Sequence, residues 1–141
     1  MKCNEPLISV IMNCKNGENF IDESVGSLLN QSYLNWELIF WDNASQDESL
    51  KKIKSYKDKR FRVFKSKKNI SLGFARQKAL NKCKGSFVSF LDVDDIWVKD
   101  ILKIQIKLFQ NNKKLGLAFS NELLFSKKLQ RINYQKKNIP T

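Results

Sequence analysis

The sequence predicts an α/β protein with a mainly parallel sheet covered by helices on both faces. Three observations predict it. Short runs of apolar, β-forming residues alternate with segments whose apolar residues recur at helical spacing. The connections between successive runs are long enough to hold the helical crossovers that parallel pairing requires. The runs also end in polar or acidic residues, at Asn13, at Asp42 and at Asp92, Asp94 and Asp95. In sheets of this kind ligands bind beyond the carboxyl ends of the strands, near a switch in strand order.

The elements follow in order. Pro6 leads into a continuous apolar strand over 7–12, and 13–19 is a polar loop turning at Asn16-Gly17. Phe20, Ile21, Val25, Leu28 and Leu29 then share one helical stripe. A second strand over 36–41 ends in Asp42-Asn43. Ser45 and Glu48 have the spacing of a capping box, opening a helix with Leu50, Ile53 and Tyr56 inward. A short third strand covers 61–64, and a third helix covers 73–82 with Phe74, Ala79 and Leu80 as packing residues.

The fourth strand begins at Phe87 and reads as buried, since it runs uncharged through Leu91 into the acids. Trp97, Ile101, Ile104 and Leu108 mark a fourth amphipathic helix, stopped near Asn111-Asn112. A fifth strand is expected over 115–119 and another short one over 123–125; beyond Ser126 the chain is basic, polar and weakly patterned.

With 141 residues, the chain is long enough for one domain with a modest core. No apolar run approaches the roughly 20 residues of a membrane span. The N-terminus lacks the long apolar region and small-residue cleavage site of a signal peptide, so the expected location is cytoplasmic. Cys3, Cys14 and Cys83 have neither zinc spacing nor a disulfide framework. There is no histidine, which removes Ser-His-Asp and Cys-His catalysis and a histidine general base.

The formal net charge is +12. Lysine dominates and is not interleaved with aromatic residues, which argues against nucleic acid. Attraction to an anionic membrane surface is compatible with it.

Asp92 and Asp94 are two apart, so if strand geometry persists their carboxylates leave the same face. Such a pair calls for a positive charge, and Mg²⁺ or Mn²⁺ is the usual one. The competing reading makes Asp94 or Asp95 a helix cap and Asp92 a loop acid. Asp42 is placed to accept a hydrogen bond from a base or sugar, or else to form an Asx turn or cap before the next helix. No G-x-G-x-x-G or G-x-x-x-x-G-K-[ST] loop is present, so dinucleotide oxidoreductases and P-loop ATPases are poor readings. If a phosphorylated ligand binds, a metal on Asp92 and Asp94 must neutralise much of its charge.

Several stretches taken together resemble the N-terminal half of family 2 glycosyltransferases. They are Ser9-Val10-Ile11-Met12-Asn13-Cys14-Lys15-Asn16-Gly17-Glu18, Leu29-Asn30-Gln31-Ser32-Tyr33, Trp36-Glu37-Leu38-Ile39 and Trp41-Asp42-Asn43-Ala44-Ser45-Gln46-Asp47. Leu72-Gly73-Phe74-Ala75-Arg76-Gln77-Lys78-Ala79-Leu80 and Phe90-Leu91-Asp92-Val93-Asp94-Asp95-Ile96-Trp97 complete the set. They come in the family's order and spacing, from about Pro6 to Asn121.

The resemblance implies a Rossmann-like GT-A fold over 1–125, lacking its acceptor half, with a basic polar tail over 126–141. It implies a UDP- or GDP-type nucleotide-sugar donor, a saccharide or lipid-linked acceptor, and Mn²⁺ or Mg²⁺ on the donor diphosphate. Asn13, Asp42, Arg76 and Asp92 would bind the donor nucleotide. Asp92 and Asp94 would hold the metal, Asp94 as principal ligand. Surface polysaccharide or lipopolysaccharide assembly, at the inner face of a membrane, is the setting such enzymes suggest.

Lys15 stands where the family often has Tyr, Gln77 where Asn is usual, and Asn43 where a second Asp is common. The carboxylate that would deprotonate the acceptor has no owner here: Glu122 is the only acid after Asp100, and nothing marks it. A non-catalytic or truncated nucleoside-diphosphate binder is therefore the alternative function. A haloacid-dehalogenase-type phosphatase fits less well, because its acidic pair follows the first strand.

Overall fold

The computed structural model of the protein describes residues 5–120 and the strands at 124–126 and 129–133. Two compact units result, one running to Lys103 and the other starting at Ile104.

The first unit holds four parallel strands: β1 (Ile8–Cys14), β2 (Trp36–Asp42), β3 (Phe61–Lys65) and β4 (Phe87–Phe90), in the order β3-β2-β1-β4. Between them lie α1 (Ile21–Leu29), α2 (Ser49–Ser55) and α3 (Leu72–Leu80). Two successive crossovers step from β1 to β2 to β3. The third returns across the sheet to the far side of β1. Right-handed crossovers therefore place α1 and α2 on one face and α3 on the other. The order reverses at β1, so the crevice between the ends of β1 and β4 is the switch point.

All seven residues of β2 are buried, and the apolar run 38–41 within it is the signature of a strand covered on both faces. On the α3 face, Ile11, Ile39, Trp41, Ala75 and Ala79 form one buried cluster, edged by Phe64, Ile70 and Cys83. Here α3 departs from expectation. It meets the sheet through two alanines, while Phe74 is 62% exposed and Leu80 also faces outward. Small residues let the helix axis come close to the strands, and a large side chain at Ala75 or Ala79 would hold it away. In α1, Ile21, Val25 and Leu28 are buried as expected, whereas Phe20 and Leu29 are exposed.

β4 is less buried than its composition suggests. Val88 and Phe90 are exposed and Phe87 and Ser89 half-buried. By register Val88 and Phe90 lie beside Ser9 and Ile11, on the α3 face. Since α3 packs over β1 and β2, it leaves that side of β4 bare.

At the opposite end of the strands a buried polar network closes the α3–β4 connection. Glu37 accepts hydrogen bonds from Ser9 Oγ at 2.7 Å, Arg62 Nη1 at 2.8 Å and the Lys84 amide at 2.6 Å. Ser9 Oγ in turn accepts from the Gly85 amide at 2.8 Å. A Cβ on Gly85 would lie 2.6 Å from the Leu7 carbonyl and the Ser9 amide, so only glycine fits there.

α4 (Ile101–Asn111) starts at Ile101, four residues after the expected Trp97. Its buried residues are Leu102 and Ile106; Ile104 and Leu108, half of the expected stripe, are exposed. The stretch 115–119 is irregular and not the strand expected, and Leu117 and Phe119 are exposed. In the second unit β5 (Leu124–Ser126) and β6 (Leu129–Asn133) pair antiparallel. β5 overlaps the short strand expected over 123–125, whereas β6 falls in the stretch read as a patternless tail. Among the described residues no helix is long and apolar enough to cross a membrane.

Candidate functional site

The strand ends bring the expected residues to one edge of the sheet. Asn13 and Cys14 close β1, Asp42 closes β2 opposite Cys14, and Leu91 is still held by the Ile11 carbonyl at 3.0 Å, which puts Asp92 just past β4. β2 and β4 flank β1, so Asp42 and Asp92 stand two interstrand spacings apart, about 10 Å. That is the reach of a nucleoside bound across the switch point.

Among the described residues, three atoms at this edge are buried and without hydrogen-bond partners: Asn13 Nδ2, Asp42 Oδ2 and Arg76 Nε. Asp42 is fully buried, and its other oxygen accepts from the Ser45 amide at 3.3 Å. Burying an unsatisfied polar atom costs roughly 1–3 kcal/mol. All three fall on residues singled out as donor-binding, whereas the fourth such atom among the described residues, Trp36 Nε1, stands at the start of β2.

Arg76 projects from α3 toward β4. Its Nη2 donates to Asp92 Oδ1 at 2.8 Å and Oδ2 at 3.1 Å, and its guanidinium lies 5.4 Å from the centre of the Phe90 ring. The positive charge that the carboxylate pair called for is thus supplied, at Asp92, by an arginine.

The strand does not continue through the acids. Asp95 donates its amide to the Asp92 carbonyl at 3.0 Å, closing a β-turn with Val93 and Asp94 at its centre. Asp92 and Asp94 are therefore not related by strand alternation. Asp94 is exposed and has no side-chain hydrogen bond among the described residues. Neither Asp94 nor Asp95 caps a helix, since α4 begins later.

The turn is held from two sides. A Cβ on Gly17 would meet Cys14 Sγ at 2.9 Å and both Val93 methyls at 3.1 Å, so the glycine lets the first loop touch the turn. From α1, Ser24 Oγ donates to the Asp92 carbonyl at 3.3 Å and Ser27 Oγ accepts from the Trp97 amide at 3.0 Å, and just past the helix end Gln31 bridges the Val98 carbonyl at 2.8 Å and the Leu102 amide at 3.3 Å. Ser24, Ser27 and Gln31 recur at i, i+3 and i+7, one polar stripe beside the apolar one. Sequence reasoning passed over it; the spacing was its only signal.

The Ser45-to-Glu48 capping box does not form. α2 begins at Ser49 with no side-chain bond at its cap residue, Glu48. Ser45 Oγ instead accepts from the Asn16 amide at 3.0 Å, and Asp47 accepts from the Glu18 and Ser49 amides, both at 3.0 Å. These bonds tie the loop after β1 to the loop after β2. Burial raises the Asp47 pKa, but the bonds from Ser49 and Glu18 outweigh it and the net shift is downward. Burial, with the Asp42 charge adding to it, raises the pKa of the Cys14 thiol against hydrogen bonds from Ser49 and Gly17. The thiol is protonated at neutral pH and is no nucleophile.

Asn43 explains its own departure from the family pattern. Its Nδ2 donates to the Ile70 carbonyl at 2.7 Å and to Asn69 Oδ1 at 3.0 Å, and its Oδ1 accepts from the Ile70 amide at 3.1 Å. An aspartate could not donate, so the amide is what clamps the β3–α3 loop. Lys15 and Gln77 are exposed. Glu122, weighed as acceptor base, lies outside the described residues.

The residues fit a divalent ion in one way. Asp94 offers a free carboxylate one residue from Asp92, and hard cations take one or two carboxylates and complete their shell with phosphate oxygens and water. Asp92 would have to share its carboxylate with Arg76. Among the described residues no group of three or more acids or cysteines could hold an ion by itself, so the ligand's phosphates would supply part of the coordination.

A parallel α/β sheet that collects acidic residues at its switch point and lacks a glycine-rich loop places the chain in the class of α/β proteins whose ligands bind beyond the carboxyl ends of the strands. The model of glycosyl transferase family 2 matches residues 9–136, and the chain belongs to that family. Its relatives include two Escherichia coli enzymes named as UDP-Glc:α-D-GlcNAc-diphosphoundecaprenol β-1,3-glucosyltransferases. WfgD is 32% identical over 92% of this chain and 54% of its own, and WfaP is 35% identical over 82% and 45%. The chain spans about half the length of these relatives.

S. aureus TarS residues 1–349, solved with UDP, superimposes with a TM-score of 0.70 at 30% identity, over 74% of this chain and 32% of that one. Pyrobaculum calidifontis PcManGT, solved with GDP-Man and Mn²⁺, has the same fold, with a TM-score of 0.71 at 22% identity over 76% and 33%. The expected GT-A architecture is borne out, and family membership displaces the phosphatase reading.

Proposed function

We propose that this chain is the donor-binding part of a glycosyltransferase. It would move a sugar from a UDP- or GDP-type nucleotide to an acceptor hydroxyl, saccharide or lipid-linked, in surface polysaccharide assembly. The observation that carries the reading is the set of unpartnered buried atoms on Asn13, Asp42 and Arg76 at the switch point. A nucleoside has the donors and acceptors to satisfy them. In support, TarS was solved with UDP, and WfgD is named for transfer to a diphosphoundecaprenol-linked sugar.

The roles follow from chemistry. Asp42 accepts from the base or ribose, and Asn13 donates beside it. Arg76 orients Asp92 and lends positive charge near the diphosphate. Asp94 is the carboxylate left for Mn²⁺ or Mg²⁺. When bound, the ion neutralises the diphosphate and stabilises its departure. The same proposal places the protein in the cytoplasm, at the inner face of a membrane. Its net charge of +12 and the lipid-linked substrate in the name of WfgD support that placement.

Calorimetric titration of UDP and of GDP, with and without Mn²⁺, tests donor binding. Binding that strengthens with Mn²⁺ and loses that increment in Asp94→Ala is expected. Identical metal dependence in the variant would remove Asp94 from its role. Transfer or hydrolysis of a nucleotide-sugar panel then separates an active transferase from a binder without turnover.

A further inference from the structure

The charge of this protein is concentrated on one edge of its sheet. Residues 51–68 hold ten lysines and arginines and a single acid, Asp58. Both arginines there are spent within the fold. Arg60 pairs with Asp58 at 2.6 Å and lies 3.6 Å over the Trp36 ring, and Arg62 pairs with the buried Glu37 at 2.8 Å. Lys51 and Lys52 pair with Glu48 and Asp22. That leaves Lys54, Lys57, Lys59, Lys65, Lys67 and Lys68, all exposed and without an ion pair among the described residues.

Their placement follows β3, an edge strand of the four-stranded sheet. Lys54 lies in the last turn of α2, Lys57 and Lys59 precede the strand, Lys65 is its last residue, and Lys67 and Lys68 follow it. Lys51, Lys54 and Lys65 converge on one open cavity of about 530 Å³, whose wall also includes Ser45, Asp47, Leu50 and Ser55. Lysines along an edge strand do block edge-to-edge pairing, but here the free lysines sit at or beyond the two ends of β3 instead of inside it, and two of them, Lys54 and Lys65, share a cavity.

We propose that this β3 edge is a docking surface for anionic lipid headgroups, with the lysine-lined cavity receiving a headgroup phosphate. The surface fits a bilayer better than RNA. Its cations are lysine point charges on flexible stems, its arginines are engaged internally, Trp36 is buried, and Phe61 and Phe64 are half-buried against the rings of Trp36 and Trp41, so none of the three is an exposed platform for base stacking. This deepens the membrane placement of the proposed function by naming the face that would carry it, and does not depend on donor binding.

The test is sedimentation of the whole chain with vesicles of phosphatidylcholine containing one-third phosphatidylglycerol. Each lysine near such a surface contributes about fivefold to partitioning. Replacing Lys54, Lys57, Lys59, Lys67 and Lys68 by Gln should lower binding by at least about a hundredfold. The same number of changes at Lys99, Lys103, Lys107, Lys113 and Lys114 should cost much less. Manganese–UDP binding by the first variant should stay at the wild-type value, which separates failure of the surface from failure of the donor site.

Hydrogen exchange of the wild type should show 54–68 protected by the anionic vesicles, and this holds as a test even if the variant does not fold. Equal losses in the two variants would overturn the proposal, as would no binding of the wild type, or tighter binding to a single-stranded RNA than to the vesicles.

Discussion

Arg76 Nη2 sits 2.8 Å from Asp92 Oδ1, joining the helix on one face of the sheet to the turn beyond its last parallel strand. Both side chains are more than a third exposed, so the pair contributes at most about 1 kcal/mol to stability after solvent screening. Its value lies in holding a cation beside the turn that carries Asp94. Asp92→Asn should therefore melt within a few degrees of the wild type and still weaken metal-dependent nucleotide binding about tenfold. Thermal melts and calorimetry on the one variant check both halves.

The proposed donor-binding role of Asp42 predicts an exchange of stability for binding. Asp42 is fully buried with one oxygen unpartnered. Asp42→Asn keeps an acceptor for the Ser45 amide and removes a buried charge. The ligand-free variant should be as stable as the wild type or slightly more so. A ligand at a hundred times its Kd stabilises by about 2.7 kcal/mol, and the variant should lose most of that gain. A scan of melting temperature against UDP concentration would show it, and an undiminished ligand shift would rule Asp42 out of the pocket.

The Glu37 network predicts a pH dependence. Burial raises the Glu37 pKa, but the hydrogen bonds from Ser9, Arg62 and Lys84 overcome it, and the net shift is downward. A carboxylate depressed in the folded state adds stability that is fully present above its unfolded pKa of about 4.3 and disappears as pH falls through the lower, folded value. Glu37→Gln should cost about 1–3 kcal/mol at neutral pH, because Arg62, partly exposed and still bonded to the Lys82 carbonyl, loses its charged partner. Denaturant titrations from pH 7 downward should find the gap between the two proteins constant to about pH 5 and closing below pH 4.

Gln31 tests whether the segment just after α1 helps to position the acidic turn. It is 2% exposed, and its amide serves both the Val98 carbonyl and the Leu102 amide. Gln31→Ala should lose about 1–3 kcal/mol and raise hydrogen exchange over 92–102 ahead of the rest of the chain. Nucleotide binding without metal should change less than binding with Mn²⁺, because the turn carries Asp94 while Asp42 stands on β2.

Much of the frame was legible because its signals are local. The uncharged runs before Asn13 and Asp42 could only be strands covered on both faces, and their polar ends announced the ligand edge. The misread parts depend on neighbours far away in sequence. Ser45 read as a cap because Glu48 is three residues on, yet its oxygen serves Asn16, 29 positions earlier. Phe74 and Leu80 read as packing residues because they are apolar, yet α3 lies close to the sheet on Ala75 and Ala79. The acidic run read either as a continuing strand or as a helix cap, yet it turns as soon as pairing with β1 ends after Leu91.

By itself the sequence determined the alternation of strands and helices, the edge at which polar residues collect, and the residue types available for chemistry: carboxylates, an arginine and an asparagine, with no histidine. These are properties of composition and short-range pattern, which each segment carries wherever it is placed. Only the tertiary structure decided that Arg76 meets Asp92, that Asp94 is left free on a turn, and that one oxygen of Asp42 is buried without a partner. Those relations arise when α3 crosses back over the sheet and brings residues from separate elements within hydrogen-bonding distance, and no local pattern encodes such a meeting.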